Sequence, residues 1–397
     1  MTRHVHAVLL FGLVLIVLAF ASERGEAHKP ITSKYTYNDD VFPILRDRCG
    51  RCHVPDGIAP MSLLTYKDAY PWAESIRGEL IAGRMPPWNA HEGIGAFRSR
   101  PEIAAREIDT VLTWATGGTP VGNPLHVPPD VTLRREWPMG VPGLVLPLPA
   151  EFTMPADQSE ETREFTLPTD TTEARLVRAV DLLPGTPAIV RHATVAIKSA
   201  PEHVLAVWLP GEDPVAAPNG TAFWLPAGAD LLVRIHYKKS YKYDGQAVTD
   251  RSTVGLYFAP GPATEIRSWI VASPPVTGAS GDRVSFNRPI DEDLQALAVY
   301  ADPALANVDV QIDAVAPDGV RTPVIRFAVR PDWSRRYWFE RPLLLHRGSR
   351  IEIVALVNGA DVLLLPSAAP TPTQPVTGSP VRITFDVVPA QTGRTVP

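Results

Sequence analysis

The sequence predicts a multidomain protein in which a small all-α domain precedes two antiparallel, jelly-roll-like β-sandwiches. Apolar residues recur at helical spacing between Tyr37 and Gly118. Prolines then interrupt the chain between Pro124 and Pro149, and beyond them apolar and polar residues alternate as in strands. A chain of 397 residues also exceeds the length that one hydrophobic core usually organises.

The first residues, 1–21, have the pattern of an export signal. Arg3 precedes an uninterrupted apolar run from Ala7 to Ala21, and Ala19-Phe20-Ala21 matches an A-x-A cleavage site. The run of about 15 residues is shorter than the roughly 20 needed to cross a bilayer, which favours cleavage over a retained anchor. We therefore expect an exported protein that is periplasmic or secreted and has no membrane span after cleavage.

The helical domain is predicted over residues 35–120. Its first helix leads directly into Cys49, and two further helical stretches cover about 68–82 and 101–116. Helices of this length, each with one apolar face, bury that face by packing together. We therefore expect one compact helical unit around the cysteines.

Proline content and the spacing of apolar residues divide the rest of the chain into a linker and two sandwiches. Residues 121–150 are predicted to form a Pro-rich linker, because repeated prolines favour extended backbone. The first sandwich is expected over 151–261 and the second over 262–397. Alternation from Val308 to Ala314, ending at the turn Pro317-Asp318-Gly319, is typical of a strand followed by a hairpin.

Charge and cysteine content exclude several classes of protein. The formal net charge is −5 and no polybasic run occurs, so the sequence predicts no nucleic-acid partner. The chain has only 2 cysteines, and their closeness in sequence excludes a disulfide framework. The two thiols are therefore expected to act together at one site rather than to cross-link distant parts of the chain.

The strongest functional motif is Cys49-Gly50-Arg51-Cys52-His53. Two thiols at this spacing can add to the vinyl groups of a haem, and the adjacent histidine can ligate the iron. We therefore expect one covalent haem c on Cys49 and Cys52, with His53 as an axial ligand. A redox or structural disulfide is the alternative interpretation, whereas zinc would require a second Cys or His pair, which the predicted domain lacks.

Three downstream side chains are candidates for the sixth iron ligand: Met61, Met85 and His91. Met85 is favoured, because the two prolines that follow it end the preceding helix and hold an extended segment. Trp88 is expected to pack on the edge of the haem. Met61 lies so soon after His53 that it is expected to fill the core instead, and an open sixth position remains an alternative.

The helical segment resembles bacterial cytochrome c domains that are fused ahead of copper type II, ascorbate-dependent monooxygenase-like domains. The resemblance covers Tyr37 to Pro120 and rests on the cysteine motif, Ile58-Ala59-Pro60, Arg84 to Trp88 and Trp114. The rest of the chain is similar to the two sandwiches of those monooxygenases, relatives of peptidylglycine and dopamine hydroxylases. This second similarity rests on Arg191-His192-Ala193, on Leu225 to Tyr237 and on Asp250-Arg251-Ser252.

The resemblance implies an electron-transfer copper held by three histidines in the first sandwich. His192 and His236 match two of these ligands, and Arg191 replaces the third. Strand alternation allows both histidines to point the same way. They are interpreted either as hydrogen-bonded sandwich residues or as a weak copper site completed by a partner such as His203.

The family's oxygen-activating copper is not expected in the second sandwich. Tyr300-Ala301-Asp302 stands near the place of the family's His-x-His, His346 is the last histidine, and no methionine follows Met154. Copper-dependent hydroxylation is therefore expected to be lost. The sequence favours an exported electron-transfer protein with an unknown periplasmic donor and acceptor. A haem- and copper-dependent monooxygenase and a non-enzymatic periplasmic binding module are the alternatives.

Overall fold

The structure is a computed structural model that describes residues 32–133, 135–275, 283–302, 308–357 and 380–390. The predicted export signal, 1–21, lies outside these ranges. Within them, no helix combines the length and apolar character needed to cross a membrane.

The described chain is mostly β-sheet, with a small helical region near its beginning, which confirms the broad prediction from the sequence. The α-helices are α1 (Phe42–Arg48), α2 (Tyr66–Ala69), α3 (Ala73–Ile81) and α4 (Ala105–Thr116). A π-helical turn, Tyr37–Val41, precedes α1, and 3₁₀ turns cover Tyr70–Trp72, Tyr241–Tyr243 and Pro331–Trp333. The strands up to residue 258 are β1 (Leu144–Pro147), β2 (Phe152–Met154), β3 (Glu160–Pro168), β4 (Arg175–Leu183), β5 (Val190–Ile197), β6 (Ala200–Trp208), β7 (Thr221–Leu225), β8 (Asp230–Lys238), β9 (Val248–Asp250) and β10 (Thr253–Phe258). The later strands are β11 (Thr264–Glu265), β12 (Arg267–Pro275), β13 (Arg283–Pro289), β14 (Leu294–Ala301), β15 (Val308–Val315), β16 (Arg321–Val329), β17 (Tyr337–Leu345), β18 (Arg350–Val357) and β19 (Pro380–Pro389).

The helical region packs around its own apolar core, at whose centre Tyr37 and Trp114 are fully buried. Their polar atoms are satisfied by the backbone: the Tyr37 hydroxyl donates to the Leu63 carbonyl at 2.8 Å. The Trp114 indole donates to the Pro120 carbonyl at 3.1 Å. These bonds offset the cost of burying polar groups. The first ties the loop that follows the cysteine motif to the π-helical turn, and the second ties α4 to the segment that follows it.

The first sheet pair consists of a five-stranded sheet, β1-β10-β4-β7-β11, and a four-stranded sheet, β3-β8-β5-β6, packed on one apolar core. Alternation along β8 sends Val233 and Ile235 into that core and leaves the residues between them on the other face. Strand β1 lies within the stretch predicted as a linker, 121–150, and pairs with β10. Strand β11 lies beyond the predicted boundary at 261 and pairs with β7.

The second sheet pair consists of the four-stranded sheets β12-β19-β14-β17 and β13-β18-β15-β16 around a separate core. The segment between α3 and α4, residues 82–104, packs on this sheet pair although it was predicted to belong to the helical domain. The His91 amide donates to the Arg326 carbonyl, and the Arg98 amide donates to the Trp338 carbonyl, both at 2.8 Å. The helical region is thereby attached to the edges of β16 and β17.

Arg336 joins the two sheet pairs. Its Nε lies 3.1 Å from Asp386 Oδ2, and its Nη atoms donate to the carbonyls of Leu205 and Val204 at 2.9 and 2.6 Å. The guanidinium also lies 4.6 Å from the centre of the Tyr300 ring. Asp386 is fully buried, and this burial raises the pKa of its carboxyl to about 6. The pair therefore spans the seam between β6 and β19.

Replacing Arg336 by methionine is expected to lower the free energy of unfolding by about 3–5 kcal/mol, because Asp386 would be left buried without a cation. Urea denaturation followed by tryptophan fluorescence would measure the change. Arg341→Met, at an exposed position of strand β17, which begins directly after Arg336, is the matched control and is expected to change stability by less than about 0.5 kcal/mol. Equal stabilities of the two variants would contradict the proposed role of Arg336.

Candidate haem site

Four residues that the sequence selected line one cavity of about 440 Å³: Cys49, Cys52, His53 and Met85. The walls come from the helical region, from 85–87 and 99–102, from the loop 210–213 of the first sheet pair, and from Trp333. The cavity is therefore formed between domains, a common position for ligand sites. The volume lies within the roughly 300–1,000 Å³ range of small-molecule and cofactor pockets.

His53 has the chemical state that an iron ligand needs. Its Nδ1 lies 3.2 Å from the Met61 carbonyl oxygen, a partner that requires Nδ1 to carry the proton. Burial lowers the pKa of the imidazole, so the ring is neutral. Nε2 is left with the free lone pair, and the carbonyl fixes the orientation of the ring, as outer partners do for metal-bound histidines.

The two cysteines are not bonded to each other, and burial of both thiols raises their pKa. The pKa is about 12 for Cys49 and about 11 for Cys52. Reactive dithiols need the opposite, a lowered pKa that produces thiolate near neutral pH. The environment therefore argues against a redox-active disulfide, one of the two forms of disulfide that the motif alone left open.

The loop 210–213 of the first sheet pair contacts Cys52. Cys52 Sγ lies 3.6 Å from the Pro210 carbonyl oxygen, and the next residue, Gly211, has a φ of +77°. A Cβ at Gly211 would stand 2.5 Å from that sulfur, so only glycine permits the approach. Arg51 holds the loop, since it donates to the Gly211 carbonyl at 3.3 Å and to Asp213 at 2.8 Å.

Arg335 connects the part of the cavity wall that contains Met85 to the part that contains Glu212. It donates to the Pro87 carbonyl at 3.1 Å, lies 4.9 Å from the centre of the Trp88 ring, and forms an ion pair with Glu212. Trp88 itself packs edge-on against Tyr337 at 5.3 Å and is not a cavity-lining residue, contrary to the expectation that it contacts the haem edge. Arg335 was missed from the sequence because no local pattern relates it to residues about 250 positions away.

The other candidates for the sixth ligand lie elsewhere. Met61 packs against the core of the helical region, as its proximity to His53 predicted. His91 is exposed and its backbone is bonded to β16. Neither residue lines the cavity, whereas Met85 does.

The histidines selected for copper occupy neighbouring strands. His192 of β5 is paired directly with His236 of β8, so the two share a face of the sheet. His203 is half exposed and lies 3.9 Å from Glu202, and it does not join them. Arg191, which stands where the resemblance implies the first histidine of the adjacent pair, lines the cavity that contains Cys49 and Cys52 instead.

In the second sheet pair, the residues near the family's His-x-His position do not form a histidine site. Tyr300 is buried beneath Arg336. His346 is exposed and lies 3.8 Å from Asp293. Among the described residues, one group of three or more His, Cys, Asp or Glu side chains is close enough to hold a metal, and that group includes His236 but neither Tyr300 nor His346.

Comparisons with known proteins add nothing to this assignment. No family model and no curated protein matches the chain. The major capsid protein P2 from bacteriophage PM2 is 9% identical, with 63% of this chain and 98% of that chain covered at a TM-score of 0.28. The Sulfolobus Turreted Icosahedral Virus structure is 11% identical, with 60% of each chain covered at a TM-score of 0.15. Likenesses this weak support no conclusion about fold or function.

Proposed function

We propose that this protein is an exported mono-haem c-type cytochrome that transfers electrons. The observation that carries the proposal is the convergence of Cys49, Cys52, His53 and Met85 on one cavity, with the His53 ring oriented by a backbone carbonyl. The donor set suits a haem: two thiols for covalent attachment, a neutral imidazole and a thioether. When bound, haem c supplies a one-electron redox couple.

The residues that line the cavity would determine whether the haem transfers electrons or activates a ligand, and would set its reduction potential. His53 and Met85 would be the two side chains that hold the iron, and a centre held by both favours electron transfer over activation of an external ligand. A methionine ligand and burial between domains both favour the reduced, less charged centre and raise the potential. Arg191 lines the cavity and its Nε has no hydrogen-bond partner, so its guanidinium is available to a haem propionate.

The two sheet pairs are proposed to be a scaffold that resembles the copper monooxygenases without their catalytic centre. The supporting observation is a lack of ligands, because the chain has no methionine after Met154 and His346 is its last histidine. The scaffold would position the walls of the haem cavity. The first sheet pair contacts them through Gly211, to which Arg51 donates, and the second contacts them through Arg335.

The proposal is tested by the iron and copper content of the full chain produced in a bacterial periplasm with haem-attachment machinery. After dialysis against a mild chelator, we expect one iron per chain, held as haem that denaturation does not release, and negligible copper. Absence of iron would overturn the cytochrome assignment. Stoichiometric copper would overturn the assignment of the sheets to a catalytically inactive scaffold and would support the monooxygenase alternative.

A further inference from the structure

A second cluster of ligand-type side chains lies outside the haem cavity, where the two sheet pairs meet. Glu160 of β3 and His236 of β8 meet Asp332, which belongs to the 3₁₀ turn Pro331–Trp333 of the second sheet pair. His236 Nε2 lies 3.3 Å from Glu160 Oε1 and 3.4 Å from Asp332 Oδ1. The three donor atoms all lie within 4.8 Å of one another, which is close enough to share one ion.

The hydrogen bonds around the cluster leave these three atoms facing each other. His236 Nδ1 lies 3.0 Å from the Thr162 hydroxyl, so Nε2 is the nitrogen directed at the carboxylates. The second oxygen of each carboxylate is engaged by Lys238, whose Nζ lies 3.3 Å from Glu160 Oε2 and 2.9 Å from Asp332 Oδ2. The contacts with Thr162 and Lys238 thus fix the orientation of the imidazole and of the two carboxylates, as hydrogen bonds to metal ligands do around bound metals.

His192 provides an independent indication that the cluster has a ligand. It is only 4% exposed, and its Nε2 has no hydrogen-bond partner among the described residues, although a buried nitrogen normally has one. His192 is the direct cross-strand neighbour of His236 and shares its face of the sheet. A β-bulge at Arg191 places it in that register, and bulges commonly redirect side chains toward functional sites.

We infer that Glu160, His236 and Asp332 bind one divalent transition-metal ion of the zinc type at the seam between the sheet pairs, with the unpartnered His192 beside it. One imidazole and two carboxylates differ from an all-histidine copper set, and such mixed nitrogen and oxygen donors are common zinc ligands. Because Asp332 comes from the second sheet pair, the ion would cross-link the two. This inference does not rest on the haem, since none of the three proposed ligands lines the haem cavity.

The charges around the site set the affinity. Two carboxylates are opposed by one ammonium, that of Lys238, and by the guanidinium of Arg191, which acts on both carboxylates. The Lys238 ammonium therefore repels a metal cation at this site and weakens its binding. Removing it by Lys238→Met is expected to strengthen metal binding, an effect opposite to that of a purely structural salt bridge.

Equilibrium dialysis of the full chain against Zn²⁺, with metal analysis and zinc-edge X-ray absorption, tests the inference. We expect one Zn²⁺ per chain with nitrogen and oxygen ligands at about 2.0–2.2 Å and no sulfur shell at about 2.3 Å, which excludes binding by the cysteines. Glu160→Gln, Asp332→Asn and His236→Gln should each weaken binding at least tenfold, since losing even an outer partner costs about 10–100-fold. His203→Gln, a half-exposed histidine on the same sheet, is the matched control and should bind as the unaltered chain does.

Three results would overturn the inference: no zinc retained by the unaltered chain, a sulfur shell around the bound zinc, or equal affinity in the control and all three ligand variants. A variant can lose zinc affinity merely by unfolding. The Lys238→Met variant avoids this ambiguity, because its zinc affinity is expected to increase. Unchanged or weaker zinc binding by a folded Lys238→Met protein would equally count against a cation site here.

Discussion

Replacing Cys49 and Cys52 by serine is expected to abolish covalent haem attachment completely, because the two thioether bonds have no other source: the chain has 2 cysteines in all. Haem staining of the denatured protein and its iron content would measure the loss. The single variants Cys49→Ser and Cys52→Ser should each retain at most one thioether bond.

The axial histidine is tested separately from the cysteines. His53→Gln removes the nitrogen whose orientation the Met61 carbonyl fixes, and the iron loses a strong-field ligand. His91→Gln is the matched control, because His91 is exposed and does not line the cavity. We expect the visible spectrum to change in the first variant and to remain unchanged in the second. Covalent haem in the double serine variant, or identical spectra of the histidine variants, would contradict the assignment.

If Met85 holds the iron of the proposed haem, replacing Met85 by alanine is expected to remove that ligand and to leave its position open or filled by water. The methionine-to-iron charge-transfer band should disappear, and the reduction potential should fall within the roughly 0.8 V range that axial ligands control. Met85→His should keep the centre six-coordinate while lowering its potential, because imidazole favours the oxidised iron more than a thioether does. Optical titration against redox mediators would measure all three proteins.

Met61→Ala serves as the control for Met85. Met61 packs against the core of the helical region, so its loss is expected to reduce stability while the spectrum and potential stay those of the unaltered protein. If Met85→Ala leaves spectrum and potential unchanged, Met85 is not the ligand and the sixth position is open or filled by another side chain.

Much of the candidate haem site is visible in the sequence because the motif is local. The spacing of Cys49, Cys52 and His53 within one turn region needs no tertiary information. Met85 follows from two prolines that forbid a helix just after it. Trp88 was misjudged because the same extended segment pairs with the second sheet pair, which carries its ring to Tyr337. A local pattern gives a backbone conformation but not the surface against which it packs.

The sequence by itself determined the cysteine motif, the change from helical to strand periodicity, and the shortage of histidine and methionine that argues against a second copper centre. These depend on residue identity and local spacing. The tertiary structure alone decided that Arg335 ties the Met85 wall to Glu212, and that Asp332 stands 3.4 Å from His236. Such contacts join strands and turns from separate sheets, and periodicity specifies which face a side chain occupies without specifying which distant element covers that face.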